Sequence, residues 1–318
     1  MRHNKHIETM LDRAQCAHSC LACGASPEYR ALHRRYKCGE LLSPYPCVFV
    51  RESFWNSLNP IEQDLATIRA LAQLHPNWIF TGLSAASVHG LDHSYALHRL
   101  HHIHIATDTG QGAHNHARLE RVYLHHPHIE SVEMINVTDI PQTLVVLARR
   151  LPFRDALALF DSASRKGTGK TAILEACRTM RCDKTDINRL IDEMNPLSEN
   201  SGESLARATM IELGFIVPRL QVPFPNSDPS RQPYRVDFAW RLPDNRCIVG
   251  EYDGMQKYVM QSAGGRTYIE AKVHQQLRRE EDLKRQGVDD IIRFQYEDLL
   301  RPARLAGKLV AAGIPRCR

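Results

Sequence analysis

Tyr234-Arg235-Val236-Asp237-Phe238-Ala239-Trp240 and, after a Pro243-Asp244-Asn245 turn, Cys247-Ile248-Val249-Gly250-Glu251-Tyr252-Asp253-Gly254 decide the reading of the last third of the chain. Both are short runs rich in β-branched and aromatic residues bounded by turn formers, the pattern of two strands joined by a tight connection. Carboxylates interrupt these otherwise apolar runs: Asp237 in the first, Glu251 and Asp253 in the second. An acid on a buried strand is costly unless paired, so such groups converge on a cation or a cationic side chain. Hard carboxylate oxygens suit Mg²⁺ or Mn²⁺, with Glu203 from the preceding segment as a further acid. Lys257, four residues past Asp253, is in reach of the same pocket.

Working outward, a polar linker at 198–202 leads to a helix from Glu203 with Ala206, Met210 and Leu213 inward and Gly214 as its stop. A strand region follows over 215–222. Beyond the two central runs come a charged helix over 269–286, a strand over 290–295 and a helix over 297–312. The order helix, strand, strand, strand, helix, strand, helix, with Tyr234-Arg235-Val236-Asp237-Phe238, Val249-Gly250-Glu251-Tyr252-Asp253-Gly254, Lys257-Tyr258 and Ile292-Arg293-Phe294, resembles the PD-(D/E)XK nuclease superfamily and its very-short-patch-repair-like branch. That resemblance implies Asp237 and Glu251 as metal ligands, Asp253 as a ligand or water-orienting group, Lys257 as the stabiliser of the attacking water or phosphate charge, and Glu203 as an auxiliary acid. Two positions depart from the pattern: Val236 stands where a proline precedes the acid, and Asp253 replaces the lysine of the D/E-x-K element. The alternative is an inactive nuclease fold whose acids pair with arginines such as Arg235 or Arg293.

The front of the chain reads differently. Ile7, Met10, Leu11 and Ala14 recur at helical spacing, a second short helix is expected over 17–23, and Ser26-Pro27-Glu28 opens a third. The third helix puts Tyr29, Leu32 and Tyr36 on one face and Arg30, Arg34 and Lys37 on another, with Arg35 beside them. A Pro-marked hairpin over 41–50 completes the layout of a winged helix-turn-helix, in which Arg30, Arg34, Arg35 and Lys37 are the candidate DNA contacts. Next come a helix over Pro60–Leu74, a small-residue helix ending at Gly90, strands over 102–106 and 121–124, and helices over 144–149 and 154–164. The winged-helix layout, with Leu83-Ser84-Ala85-Ala86 running to His89-Gly90-Leu91 and Val137-Thr138 to Thr143-Leu144, resembles AbiEi-type antitoxin and transcriptional-regulator proteins over about the first 165 residues. Such a likeness implies DNA as partner, with a cognate toxin protein as a second.

The sequence therefore predicts an α+β multidomain chain. Its parts are a winged helix-turn-helix at 1–53, an α/β middle domain at 54–165, a helical linker at 166–200 and a restriction-endonuclease-like α/β/α domain at 201–318. Composition agrees with ordinary globular protein: of 318 residues, 43% are apolar and 24% charged, with 41 Lys+Arg against 36 Asp+Glu. No apolar run approaches a membrane span, and no secretory signal is read at the start, so a cytoplasmic location is expected. Sixteen of the 17 histidines precede residue 129. His102 and His104 share a strand face and His114 and His116 sit in a loop, but no acidic or Cys residue completes a recognisable metal site, and surface or packing histidines are expected. Cys20 and Cys23 with Cys38 and Cys47 invite a zinc reading, but their second spacing is too long, and buried thiols are expected instead. Gly167-Thr168-Gly169-Lys170-Thr171 mimics a phosphate loop but lacks its first glycine and its preceding strand.

The functional expectation is a DNA-binding protein with a Mg²⁺-dependent endonuclease-like domain. The alternative is a non-enzymatic regulator of antitoxin type.

Overall fold

A four-stranded mixed sheet organises the C-terminal part of the protein. The computed structural model describes residues 5–108, 117–228, 230–254 and 266–317. The chain divides into two compact units, Met1–Leu151 with Gly167–Asp192, and Pro152–Lys166 with Glu193–Arg318. The first boundary thus falls ahead of the helix over Phe153–Arg165, which belongs with the C-terminal segments rather than with the middle of the chain.

In the first unit, α1 (Lys5–Cys16), β1 (Leu21–Ala22), α2 (Pro27–Lys37), β2 (Leu42–Tyr45) and β3 (Val48–Val50) form a small layer in which the strands lie in the order β1-β3-β2. Ile7 and Leu11 of α1, Leu32 of α2 and Phe49 of β3 make its core. The short helix expected over 17–23 is absent. The N–H groups of Ala17, His18 and Ser19 close the end of α1, His18 turns through φ 47°, and Leu21 and Ala22 pair with Phe49 and Val48. Tertiary pairing of an apolar edge overrides the local helical preference there.

The unit continues with α3 (Glu52–Ser57), α4 (Pro60–Leu74), α5 (Gly82–Val88), a 3₁₀ turn (Tyr95–His98), the parallel pair β4 (Ile103–Thr107) and β5 (Leu119–Tyr123), and the hairpin β6 (Ile129–Val132) and β7 (Ile135–Thr138). It ends with α6 (Ile140–Ala148), α8 (Lys170–Thr179) and α9 (Thr185–Glu193), whose last residue counts with the second unit. Asn59 caps α4 in a capping box with Glu62, and Pro60 fills the first helical position. This explains why that helix could be read to its ends from sequence.

The second unit comprises α7 (Phe153–Arg165), α10 (Ser201–Glu212), β8 (Arg219–Phe224), β9 (Tyr234–Arg241), β10 (Cys247–Asp253), α11 (Arg266–Arg285), β11 (Asp290–Gln295), α12 (Tyr296–Leu300) and α13 (Pro302–Ala311). The sheet order is β11-β10-β9-β8, antiparallel except for the parallel β10–β11 pair. One face packs Phe238, Trp240, Ile248 and Phe294 against Leu205, Ala206 and Met210 of α10 and Leu305 and Leu309 of α13. Val236, Ala239 and Val249 meet Leu283 of α11 and Val288 in a separate cluster, which makes three layers. The strand expected over 215–222 begins only at Arg219, and the last expected helix is broken at Arg301 into α12 and α13, where Pro302 opens the new turn. Helix α7, not a strand, precedes Gly167, so the phosphate-loop context is missing.

Among the described residues no helix is long and apolar enough to cross a membrane.

Candidate functional site

The acids singled out from the sequence gather around β9, β10 and the start of α10. Asn200 caps α10 by accepting from the N–H groups of Gly202 and Glu203, which fixes Glu203 in the first turn. Gly202 is required there: a Cβ would stand 2.1 Å from the Tyr252 ring. That close approach seats Tyr252 against the helix, and its N–H donates to Asp237 Oδ2 at 2.8 Å. Gly250 pairs with Phe238, so Asp237 and Glu251 occupy the next step of the same ladder. Gln221 stands across from Asp237 on the other side, between the pairs Leu220–Phe238 and Val222–Val236, and its φ of 51° marks a local departure from the extended strand.

Glu203 is buried, and its oxygens accept from the Glu199 N–H (2.9 Å), Asn200 Nδ2 (2.5 Å) and Gln221 Nε2 (3.0 Å). Burial pushes its carboxyl up to about 7; the Glu199 N–H pulls it back, and the negative charge of Asp237 adds to the rise. A carboxyl near neutrality beside a second carboxylate is the arrangement in which proton transfer can occur at physiological pH. The sign of the stability effect follows. Because the folded value lies above the unfolded one, the contribution is complete below about pH 4.5 and is lost as pH rises through about 7. The second unit should therefore lose about 1.4 kcal/mol per pH unit across that window. Denaturant midpoints read at Trp240 measure it, and Asp237→Asn, which keeps an acceptor for Tyr252, should lower the folded value of Glu203 and so end the loss at a lower pH. A loss that ends at the same pH in the variant would remove Asp237 as a contributor.

The remaining acids are held by arginines. Arg279 Nη2 lies 2.5 Å from Glu251 Oε1, and Arg293 Nη1 lies 3.5 Å from Asp253 Oδ2 while its Nη2 binds Glu280 at 2.7 Å. Arg293 is the partner the sequence offered; Arg235 instead pairs with Glu199 at 2.5 Å. Arg279 was missed, because nothing in the run Arg278-Arg279-Glu280 marks which side chain faces the sheet. Lys257 lies outside the described residues.

These residues bear on a divalent cation in two ways. Mg²⁺ binds through as few as one or two carboxylates, and the mutual repulsion of Asp237 and Glu203 is the environment a cation relieves. Asp237, Glu251 and Asp253 do not form a three-ligand shell. Among the described residues the single trio of ligand atoms lying within 4.8 Å of one another is His102, His104 and Glu120.

That trio is completed by the parallel register of β4 and β5, which sets Glu120 opposite His104; strand pairing across sixteen residues left no mark in the sequence. His104 Nε2 is 3.1 Å and His102 Nδ1 4.0 Å from Glu120 Oε2, and Arg150 takes the other oxygen. The Leu83 N–H donates to His104 Nδ1 at 3.1 Å, so in the neutral ring Nε2 carries the proton and offers it to Glu120. Metal binding at that nitrogen requires the proton to leave first.

Of the candidate DNA contacts, Arg30, Arg34 and Lys37 are exposed on α2. Arg35 is not: it is 9% exposed and bound by Glu8 (2.7 Å) and Glu40 (2.6 Å). Its place on the apolar side of α2 makes it a structural cation. All nine cysteines are free thiols; Cys20 and Cys23 are buried, Cys16 and Cys38 exposed. His114 and His116 lie outside the described residues.

No family model matches the chain, and neither a curated protein nor a solved structure matches it.

Proposed function

We propose that the protein binds DNA and that its second unit hydrolyses phosphodiesters with Mg²⁺ or Mn²⁺ in the manner of a restriction-endonuclease-like domain. One observation carries this: the Glu203–Asp237 pair, an acid raised to about 7 beside a carboxylate on the central strand β9. Asp237 and Glu203 would hold the cation, with Glu251 on the neighbouring strand as the next acid in line. The ion, when bound, supplies an activated water and offsets charge on the phosphate. Glu203 would take or return a proton at its carboxyl oxygen, and Tyr252 fixes Asp237 through its backbone N–H. Exposed Arg30, Arg34 and Lys37 of α2 would hold backbone phosphates, supplying affinity that falls with salt.

A second reading has its own support. The Arg279–Glu251 and Arg293–Asp253 pairs neutralise two of the acids. That is what a non-enzymatic regulator of antitoxin type would retain, with DNA and a cognate toxin protein as partners. Incubating the full chain with duplex and single-stranded DNA separates the two. Hydrolysis is expected with Mg²⁺ or Mn²⁺ and lost in chelator, and Asp237→Ala should abolish cleavage while leaving retention on DNA intact. Retention that weakens with salt, joined to no cleavage under any metal, would leave the regulator. Loss of retention on Arg30→Ala with Arg34→Ala is expected under both.

A further inference from the structure

Strand β8 is the edge of the sheet, and beside it lies a cleft of about 270 Å³ that contains none of the four acids described above. Its apolar wall is Val222, Phe224, Ala239 and Cys247, residues of the cluster packed with α11. Arg219 stands opposite Ala239 in the ladder and Arg241 opposite Cys247, and both line the cleft. Both are exposed, and among the described residues neither side chain makes an ion pair or a hydrogen bond. No carboxylate lines the cleft. Among the described residues most other arginines of this unit are tied to an acid or a carbonyl, and two untied guanidiniums over one apolar recess are a local surplus of positive charge. Guanidinium forks match phosphate oxygens, and an aromatic wall suits a base face.

The edge does not invite a strand in this position: Pro223 lies within β8 and lacks an N–H to offer an added chain. A compact anionic ligand with one planar apolar part fits better than a peptide strand.

We propose that this cleft binds a single nucleotide unit, with the phosphate between Arg219 and Arg241 and the base on the Phe224 wall. The choice of a nucleotide over other aromatic anions rests on the nucleic-acid reading above. In that setting the cleft would hold one nucleotide of a bound strand apart from the candidate hydrolytic acids. Calorimetric titration of the full chain with thymidine 5′-monophosphate, in chelator and low salt, tests it, with inorganic phosphate and thymidine as separate probes. Saturable binding of the nucleotide is expected, at least about tenfold tighter than either fragment. Arg219→Ala and Arg241→Ala should each weaken it about tenfold, the loss of one charge-assisted contact. Since neither side chain makes a native bond, these variants should fold as the parent does. Absence of saturable binding, equal affinity for inorganic phosphate, or unchanged affinity in both variants would overturn the assignment. Chelator keeps this result apart from hydrolysis. If the nucleotide fails to bind while metal-dependent cleavage persists, the cleft falls and the hydrolase stands. If binding is lost in the variants while the parent cleaves nothing, the cleft stands and the hydrolase falls.

Discussion

Arg207→Ala should destabilise the second unit by about 3–5 kcal/mol, the cost of leaving a buried carboxylate without its cation. Arg207 of α10 is 2% exposed and Asp161 of α7 is fully buried. Arg207 Nη2 donates to both Asp161 oxygens, at 2.8 and 3.0 Å, and the Asn195 N–H donates to Oδ1 at 2.8 Å. Burial pushes the Asp161 carboxyl up, while the charge of Arg207 and these hydrogen bonds pull it back. Removing the guanidinium leaves the burial and takes away the main compensation. Arg207→Lys should recover only part, since one ammonium cannot reach Asp161 and Glu193 together as Nη2 and Nη1 of the guanidinium do. Arg207→Met with Asp161→Leu should lose far less than Arg207→Ala alone, because an apolar pair of similar volume needs no compensation. Chemical unfolding read at Trp240, buried in the same unit, measures all three. A loss below about 1 kcal/mol in Arg207→Ala would mean that water reaches Asp161 and that the pair is a surface one in energetic terms.

The same pair shows where sequence reading reached and where it stopped. Asn59, Pro60 and Glu62 write the start of α4 within a single turn, and the alternation around Asp237 and Glu251 writes two strands. Such elements were legible because their determinants are local. Asp161 inside an apolar helix carried a signal too: an acid on the buried face demands a cation. Which cation could not be read, since Arg207 lies 46 residues away, and so α7 was assigned with the wrong neighbours. Glu120 beside His104, Arg279 on Glu251 and the burial of Arg35 were hidden for the same reason. The helix expected over 17–23 failed in the opposite direction: its local pattern was plausible, and pairing with β3 outweighed it. The acids themselves were found because each breaks an apolar pattern. Their division into a Glu203–Asp237 pair and two arginine-bound carboxylates depends on strand register and on side chains of α11 and β11.

Histidines give the first unit the opposite pH response to the second, and acidification should unfold it first. His93 is 3% exposed and His104 7%. Burial holds His93 down to about 3, assisted by the nearby His98, and holds His104 down to about 4, assisted by Arg150. The hydrogen bonds explain why no proton is wanted. His93 Nδ1 is 2.6 Å from the Leu91 carbonyl, which only accepts, so Nδ1 bears the proton and Nε2 is the acceptor facing His98 Nε2 at 2.6 Å. His98 Nδ1 in turn contacts Asp64 Oδ2 at 2.6 Å, and His101 Nδ1 contacts Oδ1 at 2.6 Å. Burial alone would raise Asp64, but those two imidazoles outweigh it and hold it below its ordinary value. Protonating His93 would turn its Nε2 from acceptor to donor and set it against the His98 N–H it now accepts. The folded values of His93 and His104 lie below the unfolded one, so their contribution is complete above about pH 6.5 and is lost as pH falls toward 4. Each histidine removes about 1.4 kcal/mol per pH unit, so the two together remove about 5 kcal/mol by pH 4.5, within the range of a whole domain's stability. Amide exchange resolved between the units should show α4 and the 91–101 segment opening while β9 and β10 stay protected. His104→Gln keeps an acceptor for the Leu83 N–H and a donor for Glu120 but cannot titrate, and it should flatten the acid limb by about 1.4 kcal/mol per pH unit. An unchanged acid limb in that variant would show that His104 gains its proton without cost, and that the buried network is open to water when acid acts on it.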